Sequence, residues 1–314
     1  MPDPRSDRFV RSHLKVRQLV LLVELGRHGS ILHAAQAANL TQPAASKLLA
    51  ELEHALGMKL FDRLPRGVAP TDYGAVMIRR AGAALAELDA GHQEVMELSS
   101  GLSGRVAIGA VLTPATTLLP RAVVALKARQ PRVHVTITVD TSKPMIQQLQ
   151  NGELDLVIGR VLDSESAAQL SFEPLSEEPH RIIVRAGHPL AGRRDLSLQE
   201  LARQAWILPP GGSILRDRLT ALFLSAGLDQ PHQAVETLSL PVVTSLLGRS
   251  DMVVALPEEL IQPYRDAGLL TVLDFDLGLH MDAYGIVTRR GHQLSPGAEL
   301  MLDCLREEAA RRVL

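Results

Sequence analysis

Gln42, Ser46 and Lys47 carry the clearest chemistry in this 314-residue chain, because helical spacing sets them on one outward face near a helix start. Gln bonds an adenine edge with two hydrogen bonds, while Ser and Lys reach either bases or phosphates. Pro43 and Ala44, between them, suit contact with thymine methyl groups. Arg63 and Arg66 follow on a basic turn and suit phosphates or the minor groove. Ser30 and Thr41 are able to donate to phosphate as well as to cap helices. Together these types point to contact with double-stranded DNA.

The elements around them fit that role. A helix is expected over residues 14–28, where Leu19, Leu22, Val23 and Gly26 fall at i, i+3, i+4 and i+7. Gly29 stops it, and Ser30 stands at the cap of a short helix over 31–38 with Ala34, Ala35 and Ala38 on one face. Asn39-Leu40 makes a tight turn, Thr41 caps a third helix with Pro43 in its first turn, and Gly57 ends it. Ala45, Leu49, Leu52 and Leu56 give that third helix a single apolar stripe. Residues 58–71 read as a small β-hairpin, with strands at 59–61 and 68–69 around the turn Pro65-Arg66-Gly67. Helix, turn, capped helix and basic hairpin form a docking device for the major groove. A helical pair that merely packs explains the stripe but not the polar, basic outer face.

From 72 to about 99 there is no proline, and Ile78, Leu85, His92 and Ser99 recur every seventh position with Ala81, Leu88 and Val95 between them. This predicts a long helix, read as dimerising, with packing on its own domain as the alternative. Small residues at 99–104 mark a hinge. A strand over 105–111 follows, then a helix opening at Thr113-Pro114 and running to Gln130, and an alternating strand through Val133, Val135, Ile137 and Val139. Ser142 opens a helix closed by Asn151-Gly152, and 154–159 reads as a buried strand of a parallel sheet. A second α/β lobe has strands at 181–184, 206–208 and 252–256, with helices opening at Gly211-Gly212-Ser213 and Pro241. Strands at 269–273 and 284–287 are expected to return to the first lobe before a final helix over 296–311.

Composition narrows the function classes. Hydrophobic residues are 46% of the chain, which excludes a disordered reading, and aromatics are 3%, too few for stacking on single-stranded nucleic acid. Residues 1–72 hold 10 Lys and Arg against 7 Asp and Glu, and the remainder 23 against 28, so a basic head sits on an acidic body. Ordinary scatter accounts for that asymmetry equally well. The one cysteine, Cys304, sits in an apolar helical pattern and reads as a buried hydrophobe. The first fifteen residues contain no apolar run, so no signal peptide is expected, and no stretch is long enough to span a membrane. The expected location is the cytoplasm. An enzyme is disfavoured by the absence of G-x-S-x-G, H-E-x-x-H and G-x-x-x-x-G-K-[ST] patterns. His28 and His33 fall on separate elements, and the pairs Glu177-Glu178 and Glu258-Glu259 read as solvated surface. No metal or cofactor is expected. An exported binding protein would need a signal peptide and would not need the head.

The run Gly29-Ser30-Ile31-Leu32-His33-Ala34-Ala35-Gln36-Ala37-Ala38-Asn39-Leu40-Thr41-Gln42-Pro43-Ala44-Ala45-Ser46-Lys47 resembles the N-terminus of LysR-type transcriptional regulators. So does Leu49-x-x-Leu52-Glu53-x-x-Leu56-Gly57-x-x-Leu60-Phe61-x-Arg63, and Gly152-Glu153-Leu154-Asp155 is similar to the family's G-E-L-D segment. The chain departs from the pattern at Pro70-Thr71, where the family has Leu-Thr. The start, Arg11-Ser12-His13-Leu14-Lys15, resembles regulators of sugar uptake and aromatic-acid catabolism. The resemblance implies an α/β protein with an N-terminal winged helix-turn-helix (1–71), a linker helix and hinge (72–103) and a two-lobed effector domain (104–314) similar to type 2 periplasmic binding proteins. Lobe I would take 104–169 and 275–314, and lobe II 170–274. It further implies a homotetramer, a dimer of dimers, on promoter DNA, with RNA polymerase as a further partner and a ligand between the lobes.

Strand ends and helix N-termini in such a cleft favour anions, so a small organic anion is expected from the residues, and the resemblance leaves an organic acid or a sugar as the effector. Candidate contacts are Thr113, Thr116, Ser142, Arg160, Gly212, Ser213 and Ser239. The same Ser and Thr residues serve equally as plain N-caps, and Arg160 as a surface ion pair.

Overall fold

A computed structural model describes residues 14–65, 67–100, 104–161, 164–279 and 281–311. The chain divides into two compact units, Met1–Leu102 with Gln150–Glu153, and Ser103–Leu149 with Leu154–Leu314.

The first unit opens with α1 (Val16–His28), where the Lys15 N–H donates to Gln18 Oε1 at 3.0 Å and so meets one donor of the first turn. Gly29 ends α1 in the left-handed region, at φ 59°. Helix α2 (Ile31–Ala37) and helix α3 (Gln42–Leu56) are joined through Asn39, itself at φ 55°. Thr41 Oγ1 accepts from the Ala44 N–H at 3.4 Å, Pro43 lies in the first turn of α3, and Gly57 ends it at φ 70°. Ser30 stands at the cap position of α2, but its hydroxyl makes no capping bond. Leu21, Leu22, Leu25, Ala34, Ala35, Leu52 and Leu60 form the buried core of this unit.

Strands β1 (Phe61–Leu64) and β2 (Gly67–Pro70) make the hairpin, in antiparallel register from Phe61↔Pro70 to Leu64↔Gly67. Gly67 is forced: a Cβ there would stand 2.2 Å from the Gly29 carbonyl oxygen, whose own partner is the Val68 N–H at 2.8 Å. Thr71 follows, with Oγ1 donating to the Lys59 carbonyl at 2.9 Å and accepting from the Gly74 N–H at 3.1 Å. Thr71, which the family pattern shares, therefore closes the hairpin and starts α4 (Asp72–Ser100), while the departing Pro70 ends β2 opposite Phe61. Early in α4, Ala81 is buried and Ile78 and Leu85 pack on the core of their own unit. Farther along, Leu88 and Val95 are 57% and 63% exposed. The heptad stripe thus divides between an internal half and an open half.

The second unit holds two five-stranded sheets. In the first, β3 (Arg105–Ala110) lies parallel to both β4 (His134–Val139) and β5 (Leu156–Gly159). The last strand, β12 (Tyr284–Arg289), runs antiparallel between β5 and β6 (Leu170–Ser176). In the second, β10 (Val253–Pro257) lies between β7 (His180–Arg185) and β8 (Trp206–Leu208), with β9 (Ala234–Glu236) and β11 (Leu270–Val272) at the two edges. Helices cover these sheets: α5 (Leu112–Thr117), α6 (Leu119–Arg129), α7 (Ser142–Gln150), α8 (Ser164–Gln169) and α13 (Pro296–Ala310) in the first lobe. In the second they are α9 (Leu198–Ala202), α10 (Ile214–Ser225), α11 (Leu240–Leu247) and α12 (Glu258–Asp266). Cys304 is fully buried in the first lobe's core, and burial pushes its thiol pKa up.

Three sequence expectations change. The helix expected from Thr113 to Gln130 is two, broken at Leu118, because Pro120 lies in the first turn of α6 and has no N–H to continue the ladder. The strand expected to return at 269–273 instead pairs antiparallel with β7 and remains in the second lobe. Strand β6, unforeseen, is an edge of the first sheet, so the chain leaves that sheet after Ser176 rather than at 169. The lobes are therefore connected at residues 177–179 and again between β11 and β12.

Candidate DNA-recognition face and interlobe pocket

Helix α3 buries Ala45, Leu49 and Leu52 and turns its other side outward. At its start Thr41, Gln42, Pro43 and Lys47 are exposed, and Ala44 and Ser46 are half-buried. Gln42 occupies the first position after the cap, where unpaired backbone N–H groups leave a partial positive charge. Ser30 is half-buried at the start of α2, and Arg63 is exposed on β1. Arg66 lies outside the described residues.

One residue behind this face was given no role by sequence reasoning. Glu53, buried on α3, accepts from the Leu60 N–H at 2.9 Å, the Phe61 N–H at 3.3 Å and Lys59 Nζ at 2.6 Å. Burial raises its pKa, but the bonds from Lys59, Leu60 and Phe61 outweigh burial and hold the carboxyl below its ordinary range. The helix and the hairpin are thereby locked to each other. The rings of His28 and His33 meet edge to face at 6.4 Å across α1 and α2. Among the described residues, no group of His, Cys, Asp or Glu is placed to hold a metal ion.

Between the lobes of the second unit lies a cavity of about 110 Å³. Of the expected contacts it brings together Thr113, Ser142, Arg160, Gly212 and Ser213. Ser142 is buried, its Oγ accepting from the Arg160 N–H at 3.0 Å, and Gly159 leaves room for that oxygen. Gly212 turns at φ 80° before Ser213, which caps α10 without a side-chain bond to it. Thr116 and Ser239 are exposed and stand outside the lining. Thr116 Oγ1 donates to backbone carbonyls of its own short helix, and near Ser239 the wall is formed by Thr237 and Leu238.

Arg160 is neither a surface pair nor an open anion site. It is 5% exposed, with Nη2 2.6 Å from Glu178 Oε1 and Nε 2.6 Å from the Asp282 carbonyl oxygen. Its guanidinium lies 5.9 Å from the Tyr284 ring centre. Glu178 and Asp282 sit on the two interlobe crossings, so one buried arginine at the end of β5 ties both. The expectation that Glu177-Glu178 is solvated fails at Glu178, which is buried and lines the cavity. Next to it, His180 Nδ1 donates to the Glu178 carbonyl at 2.9 Å, and burial lowers the imidazole pKa despite the raising effect of Glu178. Neither Glu178 nor His180 carried a sequence signal, because each acquires its role only when the crossing is folded under Arg160.

The G-E-L-D segment is also explained. Asp155 Oδ2 accepts from the Ala107 N–H at 2.7 Å, which fixes the entry of β5 beside β3. Burial raises its pKa, with the Ala107 bond acting in the opposite direction.

A family model described as the bacterial regulatory helix-turn-helix protein, lysR family, matches residues 16–75, and one described as the LysR substrate binding domain matches residues 99–310. HTH-type transcriptional regulator GbpR of Azospirillum brasilense is 36% identical over 299 residues, 95% of this chain and 87% of that protein. An SDS degradation transcriptional activation protein of a Pseudomonas species is 34% identical, over 94% of this chain and 97% of its own. Among solved structures, a full-length OxyR variant from Pseudomonas aeruginosa aligns over 95% of both chains with a TM-score of 0.57 and 22% identity. CbnR aligns over 94% of this chain and 99% of its own, with a TM-score of 0.56 and 18% identity, a likeness of fold alone.

Proposed function

The chain belongs to the LysR family of transcriptional regulators, and on that premise we propose which residues read its DNA and where its effector binds. As a member it is a DNA-binding regulator with an effector-binding domain and not an enzyme. Helix α3 enters the major groove by its N-terminal end, with Gln42, Ser46 and Lys47 at base edges and Pro43 and Ala44 near thymine methyls. Ser30, Thr41, Arg63 and Arg66 hold phosphates. The observation that carries this is the polar start of α3 standing open while its opposite side is locked into the core and, through Glu53, to the hairpin.

The effector, a small organic acid or sugar, binds in the interlobe cavity with Thr113, Ser142, Gly212 and Ser213 around it. Its occupancy changes the interlobe geometry that Arg160 ties. Residues 1–71, 72–103 and 104–314 act as DNA-binding, linking and sensing segments. The open apolar half of α4, with Leu88 and Val95 exposed, supports pairing of chains, and the assembly on promoter DNA is a tetramer that meets RNA polymerase. Among the described residues no helix is long and apolar enough to cross a membrane. A cytoplasmic location, where promoter DNA is reached, belongs to the same proposal.

A footprint on the DNA upstream of the gene and its neighbour, repeated with organic acids and sugars, tests this reading. A protected site whose pattern changes with one compound supports it. A folded protein giving no protection at low salt counts against it.

A further inference from the structure

On the reading that the interlobe cavity takes the effector, we propose that the ligand is a small polyhydroxy compound, one of whose hydroxyls donates to Glu178 Oε2. Glu178 is 8% exposed, and its Oε1 is taken by Arg160 Nη2 at 2.6 Å. Its Oε2 is buried and accepts no hydrogen bond. A buried carboxylate oxygen without a donor is costly, and native interiors rarely leave one. Glu178 lines the cavity, so a small turn of its carboxylate toward an occupant lets that occupant supply the donor.

Neighbouring groups specify what kind of donor. His180 lines the same wall; its Nδ1–H is spent on the Glu178 carbonyl, and burial favours the neutral ring, which leaves Nε2 as an acceptor. Asp140 also lines the cavity and adds negative charge. A plain carboxylate would set acceptors against acceptors. An ammonium would bind the carboxylate whose other oxygen already holds the Arg160 guanidinium, and like charges within about 4–6 Å oppose each other. A hydroxyl donates without charge. A second hydroxyl on the same molecule serves His180, and a third meets Ser213, whose side chain makes no capping bond on α10. Leu112, Leu208 and Met281 supply apolar wall for the C–H faces that such a molecule presents.

Calorimetric titration of the full-length protein with D-glucose, D-gluconate, hexanoate and 1,6-diaminohexane separates the classes at equal carbon number. D-glucose or D-gluconate is expected to bind, with hexanoate and the diamine at least about tenfold weaker. An Arg160→Met/Glu178→Leu double variant removes both charges together, so neither is stranded. With its fold checked by circular dichroism, it should bind the hydroxyl probe at least about tenfold more weakly. Three results each overturn the proposal: no binding of either hydroxyl probe at millimolar concentration, equal or tighter binding of hexanoate or the diamine, or unchanged affinity in the double variant. Thr237→Trp, on the cavity wall, separates this failure from failure of the cavity reading. If the probe that binds is lost in Thr237→Trp, the cavity stands whatever the ligand class. If it is retained, the ligand lies elsewhere and both ideas fall.

Discussion

Arg160 Nη2 lies 2.6 Å from Glu178 Oε1, with both side chains less than one-tenth exposed. The bond links the end of a first-lobe strand to the crossing into the second lobe. Breaking a buried pair strands the remaining charge, whereas replacing both partners by apolar groups removes the desolvation cost as well. Arg160→Met or Glu178→Leu alone should destabilise the sensing unit by about 3–5 kcal/mol, and the double variant by much less than their sum. Denaturant unfolding of the four proteins measures this. Additive losses would show that the pair is not coupled.

The exposed start of α3 predicts a specific pattern in DNA binding. Gln42→Ala and Ser46→Ala should each reduce affinity for the cognate site by about 1–3 kcal/mol, with little change on random DNA. Arg63→Ala should weaken both kinds of binding and lower the salt slope by about one. Gel shifts over a salt series provide the readout. Full cognate affinity in Gln42→Ala would mean that α3 docks differently.

Gly74 lies in the first turn of α4, where alanine normally favours a helix by about 1 kcal/mol. A Cβ there would be 1.9 Å from the Leu60 carbonyl oxygen. Gly74→Ala should therefore destabilise the DNA-binding unit by about 1–3 kcal/mol. Gly57→Ala, left-handed but with open space around its Cβ, should cost about 1–2 kcal/mol from backbone strain alone. A stabilised Gly74→Ala protein in thermal melts would contradict the packing described between α4 and the hairpin.

Glu53 makes the DNA-binding unit sensitive to acid. Its folded pKa lies below its unfolded value, so the ionised carboxylate contributes stability above the unfolded value, and that contribution is lost as pH falls through the folded one. Melting temperature should drop through the acidic carboxylate range in the native protein. In Glu53→Gln it should be lower at neutral pH and fall less on acidification. Parallel curves for the two proteins would remove Glu53 from that role.

Much of the DNA-binding unit was legible in the residues themselves. Ala45, Leu49 and Leu52 recur at helical spacing and are buried, and Gly29, Thr41 and Gly57 mark ends where the helices do begin and stop. These are local signals, because a cap or an amphipathic stripe depends on neighbours within a turn or two. Cys304 was legible for the same reason, lying on the apolar side of α13. Strand β6 was hidden by its edge position and by Pro174, whose missing N–H an edge strand tolerates. The strand at 270–272 showed that it was a strand but not whose partner it was, since pairing is chosen by the sheet within reach. Glu178 and its neighbour Glu177 look alike in sequence, yet only Glu178 is buried and paired. Residue types and local periodicity thus determined the helices of the DNA-binding unit, the ends marked by Gly29, Thr41 and Gly57, and the polar face of α3. The interlobe cavity, the Arg160–Glu178 bond and the unmet Oε2 were decided only by tertiary structure, because a buried charge pair exists only once two distant segments exclude water from the same space.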